Sequence, residues 1–307
     1  MKKIFIDGYA GTTGLKIYER LSSRRDIELL TLTEETRKDI NARRDALNSS
    51  DIAFLCLPDD AAKESVSLIT NPDTAIIDTS TAHRVAPEWV YGLPELKGQR
   101  GKIRTSKRVA NPGCHATGFI VLAAPLVQAG LLPNDAKLSC FSLTGYSGGG
   151  KKMIAEYESS GRDTLLDAPR QYGITQKHKH LPEMAELCGL KYAPVFCPIV
   201  APYYAGMEVT VTLHGSDINT GIKTLKELYA EYYHDGVIHF TDTSAEGGFM
   251  SAGAFAGRDD LEVSVQGNDE RILLVSRFDN LGKGASGAAI QNMNILLGLD
   301  ETAGLIF

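Results

Sequence analysis

The run Val109-Ala110-Asn111-Pro112-Gly113-Cys114-His115 holds the side chain best suited to covalent chemistry. Asn-Pro-Gly stops whatever precedes it, and an apolar stretch with helical spacing then occupies 119–127 and closes at Gly130. Cys114 therefore stands at a helix N-terminus, where unpaired backbone N–H groups and the helix dipole favour a thiolate over a thiol. Cys56, Cys140, Cys188 and Cys197 lie in apolar or strand-like text and read as core. A thiolate nucleophile needs a proton manager, usually histidine. Of the seven histidines, His178 and His180 share the polar segment His178-Lys179-His180-Leu181-Pro182-Glu183, while the others stand alone. One imidazole of this pair would act as acid/base with Glu183 orienting it. The segment offers too few ligands for a metal, and none is expected.

The chain begins with a second chemical signal. A short β-branched run, 3–7, leads into Gly8-Tyr9-Ala10-Gly11-Thr12-Thr13-Gly14, followed by an amphipathic stretch over 15–21. Strand, glycine loop and helix in that order form a phosphate cradle. Gly8 opens the loop, Gly11 allows close approach of a pyrophosphate, Gly14 allows close packing of helix on strand, and Thr12 and Thr13 supply donors. After the next strand, 27–32, two signals conflict: Glu34 suits a free ribose 2′-hydroxyl, whereas Arg37 and Lys38 suit a 2′-phosphate. A third strand, 51–57, ends on Pro58, with Asp59-Asp60 expected to cap the following helix, and a fourth covers 74–78. The alternation predicts a parallel, doubly wound sheet with ligands at the C-terminal strand ends. Arg84, just past such an end, has the fork geometry to grip a carboxylate or phosphate. Residues 89–96 read as irregular loop.

A dinucleotide cradle and an exposed cysteine together define a reaction class. The cysteine attacks an acyl carbon to give a thioester, hydride from a nicotinamide reduces it to a thiohemiacetal, and collapse releases an aldehyde. The reverse sequence oxidises an aldehyde.

The second half is richer in strands. Apolar runs recur at 137–144, 192–200, 207–213, 236–240, 261–266 and 271–278, with a helix at 222–233, and read as an α+β layer. Ser147-Gly148-Gly149-Gly150-Lys151-Lys152 is a second glycine-rich loop, suited to an anion or serving as a linker. A helix with a small-residue face over 284–298 must pack closely and is expected to return to the first domain. Domain one is thus 1–113 plus 284–307, and domain two 114–283. The 307 residues carry a net charge of −6, which argues against nucleic acid or an anionic membrane as partner. Five irregularly spaced cysteines give neither a disulfide framework nor a zinc site, and point to a cytoplasmic setting. No apolar run reaches the length of a membrane span.

Asn111-Pro112-Gly113-Cys114, the HKHLPE segment 178–183 and DNLGKGASGAAIQNMN over 279–294 resemble N-acetyl-γ-glutamyl-phosphate reductase of arginine biosynthesis, in the shorter of that family's two types. The resemblance implies a Rossmann-like dinucleotide-binding domain plus an α+β catalytic and dimerisation domain. It implies reduction of the acyl phosphate by NADPH to N-acetylglutamate semialdehyde, NADP and phosphate, in a homodimer or homotetramer. It makes Cys114 the thioester nucleophile and His180 the acid/base, with His178 and Glu183 supporting. It places Asn280, Ser147 and Gly148 near the cofactor and favours Arg37 and Lys38 over Glu34. Arg84, Asn111, Lys151 and Lys152 are candidates for the substrate. Aspartate-semialdehyde dehydrogenase shares the thioester logic, but its nucleophile turn typically reads NPNC, and the NPGC of this chain counts against it.

Overall fold

A computed structural model describes residues 1–243 and 245–307. The chain divides into two units, Met1–Pro112 with Ala285–Leu305, and Gly113–Gly284 with Ile306–Phe307. The first boundary falls one residue before Cys114.

In the first unit, β1 (Lys2–Asp7), α1 (Thr12–Leu21), β2 (Ile27–Leu30), α2 (Ile40–Ser49), β3 (Ile52–Leu55), α3 (Asp59–Leu68) and β4 (Ala75–Asp78) alternate strictly. Then come β5 (Val90–Tyr91), α4 (Gln99–Thr105) and β6 (Arg108–Ala110). Every pairing is parallel, in the order β2-β1-β3-β4-β6-β5. All residues of β3 and β4 are buried, as expected where helices cover both faces. Alternate residues divide between two cores: Ile4, Ile6, Ile52, Phe54 and Ile77 pack on one face, Phe5, Ala53, Leu55 and Ile76 on the other. Two local expectations are corrected. Within 89–96, which read as loop, β5 adds an edge strand to β6, with Gln99 Nε2 donating to the Tyr91 carbonyl at 2.7 Å. Asp59 does not cap α3: Pro58 is the N-cap residue, and the Asp59 carboxylate accepts from the Thr81 N–H at 2.9 Å.

The second unit begins with α5 (Cys114–Gln128). It continues through β7 (Ser139–Gly145), α6 (Gly150–Glu158), β8 (Arg170–Gln171), α7 (Leu181–Cys188), β9 (Val195–Ala201), β10 (Met207–His214), α8 (Ile222–Tyr232), β11 (Ile238–Phe240), β12 (Leu261–Gly267) and β13 (Arg271–Phe278). These strands form a mixed sheet, β11-β12-β13-β10-β7-β9-β8. The glycine run that read as loop or linker is a 3-10 turn, Tyr146–Gly149, leading directly into α6.

α5 is buried from His115 to Leu126 and has no polar face, the mark of a central helix. Its fit to the sheet turns on Gly118, where a Cβ would lie 2.4 Å from Val209 Cγ2. Pro125 lacks an N–H and its ring crowds the preceding turn, so carbonyls one turn back lose helical donors. The Tyr233 hydroxyl donates to Val121 O at 2.8 Å and the Tyr229 hydroxyl to Leu122 O, so two tyrosines repair the break.

The chain returns to the first unit as α9 (Gly287–Leu297), preceded by a π-helical turn over Gly282–Ser286. Ala289, Ile290 and Met293 join the core with Ile4, Phe54 and Ile77. Two of its buried amides reach back to loop carbonyls: Asn292 Nδ2 donates to Gly92 O at 2.9 Å, and Asn294 Nδ2 to Ala303 O at 2.9 Å.

Candidate active site

Cys114 is the first residue of α5, behind an extended Gly113 N-cap that has no side-chain cap. The first turn of a helix presents N–H groups that favour a developing negative charge. Gly284 packs directly on the cysteine: a Cβ there would lie 2.9 Å from Cys114 Cβ. The other thiols differ. Burial pushes the Cys56 thiol up to about 12 and raises Cys140 and Cys188 further, which keeps them protonated and inert. Cys197 is half-buried on β9.

The HKHLPE segment forms the approach to α7. His180 is the N-cap residue, Pro182 lies in the first turn, and Glu183 occupies its N3 position. Glu183 is 1% exposed, a costly place for a carboxylate unless it is paired. Its Oε2 accepts from the Gly113 N–H at 3.1 Å, while Oε1 lies 3.9 Å from His180 Nε2. One carboxylate therefore binds the backbone in front of Cys114 and faces an imidazole. His178 Nδ1 accepts the His180 backbone N–H at 3.2 Å, and the two rings stand edge to face with centroids 4.8 Å apart.

His115 was one of the histidines that stood alone in the sequence, yet it sits at the centre of this cluster. Its ring centroid lies 5.5 Å from that of His180 and 5.7 Å from that of His178. Nδ1 meets Ser142 Oγ at 2.7 Å and Nε2 meets Tyr172 Oη at 2.6 Å. Burial, and next the charge of His178, lower its pKa to about 3, so it remains neutral. Burial, and then the charge at Cys114, push the Tyr172 hydroxyl well above its ordinary range. His115 and Tyr172 carry no motif of their own; adjacency to Cys114 was the one available signal. Gln176, at φ 55°, holds the segment against β9 through Nε2 to Phe196 O at 2.7 Å and Oε1 to Phe196 N at 2.8 Å.

A neutral buried His115 has a stability consequence. Its folded pKa lies below the unfolded value of 6.5, so its contribution is complete above pH 6.5 and declines as pH falls toward 3. At about 1.4 kcal/mol per unit, the loss reaches roughly 3 kcal/mol by pH 4. Urea unfolding across this range should show a shallower decline in His115→Gln than in the parent; equal slopes would remove His115 as the cause.

Asn280, Ser147 and Gly148 come together elsewhere in the second unit. Asn280 Nδ2 donates to Ser147 Oγ at 2.9 Å, its Oδ1 accepts from Gly206 N at 3.0 Å, and a Cβ at Gly148 would lie 3.4 Å from Asn280 Nδ2. Lys151 and Lys152 are exposed in the first turn of α6.

In the first unit, Gly8, Tyr9 and Ala10 line a cavity of about 270 Å³ with Leu32, Arg37, Lys38 and Leu57. Gly8 has φ +88°, and its Cβ would meet Cys56 O at 2.4 Å, so only glycine fits. Gly11 is the extended N-cap of α1 without a side-chain cap, and Thr12, Thr13 and Gly14 form the first turn. Pro58 follows Leu57 at the head of α3. Arg84 donates Nε to Asn111 O at 3.1 Å and Nη2 to Thr79 O at 3.2 Å. The Asn111 amide is committed as well, donating to Ala285 O at 3.0 Å and accepting from Asn292 Nδ2 at 3.2 Å. Asn111 thus helps hold its own turn through both amide atoms. Among the described residues, no cluster of His, Cys, Asp and Glu converges as a metal site, and no helix is long and apolar enough to cross a membrane.

A parallel dinucleotide-type sheet followed by a mixed-sheet unit that opens on a helix-terminal cysteine defines the semialdehyde dehydrogenase class. The family models "Semialdehyde dehydrogenase, NAD binding domain" and "Semialdehyde dehydrogenase, dimerisation domain" match residues 3–104 and 114–280. Solved structures share the fold: aspartate semialdehyde dehydrogenase II of Vibrio cholerae superposes with a TM-score of 0.71 at 15% identity, covering 97% of this chain and 98% of that one. The Candida albicans aspartate semialdehyde dehydrogenase with NADP gives 0.66 at 16% identity, with the same coverage. Within the class the chain belongs to the N-acetyl-γ-glutamyl-phosphate reductases and is an oxidoreductase. It is 45% identical to N-acetyl-gamma-glutamyl-phosphate reductase 2 of Nostoc sp. over 99% of both chains. It is 46% identical to the Sinorhizobium medicae reductase, over 96% of this chain and 98% of that one.

Proposed function

We propose that the chain reduces N-acetyl-γ-glutamyl phosphate to N-acetylglutamate 5-semialdehyde with NADPH, releasing phosphate, as a cytoplasmic step of arginine biosynthesis. The observation that carries this reading is the Glu183 carboxylate linking the Cys114 turn to His180, in a chain 45% identical to a named reductase. The Cys114 thiolate, stabilised at the α5 N-terminus, attacks the acyl carbon. The C–O bond to phosphate breaks, phosphate leaves with the electron pair, and a thioester remains. NADPH supplies the hydride. His180, with Glu183 favouring its charged form, donates a proton to the resulting oxyanion and takes it back as the thiohemiacetal collapses, returning the thiolate and freeing the aldehyde.

The first unit suits the cofactor: the positive-φ Gly8 and uncapped α1 N-terminus form the cradle, and Arg37 and Lys38 line the cavity where a 2′-phosphate would lie. Ser147, Gly148 and Asn280 are assigned to the nicotinamide end. Lys151, Lys152 and Arg84 are the cations assigned to substrate oxygens. Substrate given without NADPH should leave one N-acetylglutamyl adduct on the Cys114 peptide, read by intact-mass and peptide mass spectrometry. No adduct, or an adduct on another cysteine, would sink the thioester reading.

The outer face of the mixed sheet is proposed as the dimer interface. Val195, Phe141 and Leu273, on β9, β7 and β13, are 58%, 42% and 41% exposed and share one face with Cys197. Phe141→Asp should shift the protein to monomer in sedimentation velocity at micromolar concentration; an unchanged oligomer would move the interface elsewhere.

A further inference from the structure

One acidic side chain beside the dinucleotide cavity has no part in the proposed reaction. Of the cations lining that cavity, Arg43 is committed: Nη2 reaches the buried Asp7 at 3.1 Å, and Nη1 reaches Glu64 at 2.8 Å. Arg37 also has a partner. Its Nε donates to Glu34 Oε2 at 2.6 Å, and the Tyr9 hydroxyl donates to Glu34 Oε1 at 3.1 Å. Tyr9 belongs to the glycine loop and Arg37 to the turn after β2, so Glu34 joins two walls of the same cavity. Hydrogen bonding from Arg37 holds the Glu34 carboxyl below its usual range, and hydrogen bonding to Glu34 raises the Tyr9 hydroxyl.

The Arg37 and Glu34 side chains are 34% and 65% exposed. A pair at this depth is weakly held and exchangeable. A phosphate monoester carries more charge than a carboxylate and offers three acceptor oxygens to the guanidinium fork, so it competes for Arg37.

We propose that Glu34 sets the balance between phosphorylated and unphosphorylated adenosine dinucleotides. With a 2′-hydroxyl present, Glu34 keeps Arg37 and Tyr9; with a 2′-phosphate present, Arg37 turns to the ligand and Glu34 is left as an opposing charge. The residue therefore narrows the NADP preference that Arg37 and Lys38 create. This inference rests on reading the first unit as the NADP site.

The test is calorimetric binding of 2′,5′-ADP and 5′-AMP to the whole protein, to Glu34→Gln, and to Glu34→Gln with Arg37→Gln. Glu34→Gln keeps the shape and the Tyr9 contact but removes the charge. It should tighten 2′,5′-ADP about tenfold and change 5′-AMP less than about twofold. The double variant should lose that gain. If the parent binds both fragments and Glu34→Gln leaves their ratio unchanged or lowers it, the role of Glu34 is overturned while the cofactor site stands. A parent that binds neither fragment overturns the site and the inference together.

Discussion

Cys114→Ser should lower kcat at least roughly 10³-fold while NADPH binding and the thermal midpoint stay near those of the parent. Serine is almost isosteric, so the contact with Gly284 and the start of α5 persist. What disappears is ionisation. A helix N-terminus stabilises a thiolate at neutral pH, but a hydroxyl lies too far from its pKa for the same dipole to ionise it. If the reaction ran by direct hydride transfer to a bound acyl phosphate, with Cys114 only lining the site, the serine variant would retain activity within about tenfold. Stopped-flow measurement of the phosphate release burst, alongside steady-state kcat, separates these cases: the thioester route loses both, the direct route neither.

The second large effect concerns the two histidines of the HKHLPE segment, whose spacing alone does not rank them. Their surroundings do. His180 faces the buried Glu183 carboxylate at 3.9 Å, and that carboxylate is bonded to the turn carrying Cys114. His178 instead accepts the His180 backbone N–H through Nδ1, an arrangement that holds the bend. His180→Asn should therefore reduce kcat by about 10²- to 10³-fold and flatten the alkaline limb of the kcat/KM profile for acyl-phosphate reduction, where activity falls as the donating imidazolium loses its proton. His178→Asn should cost far less in kcat and leave the limb in place. The reverse ranking would transfer the proton to His178. Glu183→Gln keeps the hydrogen bond from Gly113 but removes the charge facing His180, so its effect should appear in the profile more than in the fold.

Much of the first unit was legible because each strand and helix buries a local pattern. Residues 52–57 and 75–77 are continuous apolar runs, and runs of that kind belong to parallel strands covered on both faces. The helix behind Cys114 was legible too, since Asn-Pro-Gly and Gly130 mark its ends within the chain itself. Elements held by distant partners were hidden. β5 is two residues long and exists through pairing with β6. The glycine run before α6 carries the composition of a linker, yet its Ser147 is fixed by Asn280, 133 residues away in sequence.

The same division applies to the candidate site. The HKHLPE segment announced itself by packing two imidazoles and a carboxylate into six residues. His115 did not, because its partners Ser142 and Tyr172 come from β7 and the segment after β8, and no local pattern links them. The structural part played by Asn111 was hidden for a related reason. An amide next to a nucleophile suggests substrate, but its partners lie at Ala285 and Asn292, residues that topology alone brings back to it.

The most direct test of the central claim is NADP reduction by the purified protein given N-acetylglutamate 5-semialdehyde, with and without inorganic phosphate, and aspartate semialdehyde in parallel. The account predicts phosphate-dependent NADPH formation from the acetylated substrate alone, abolished in Cys114→Ser. Turnover of aspartate semialdehyde in its place, or turnover that persists in the serine variant, would contradict it.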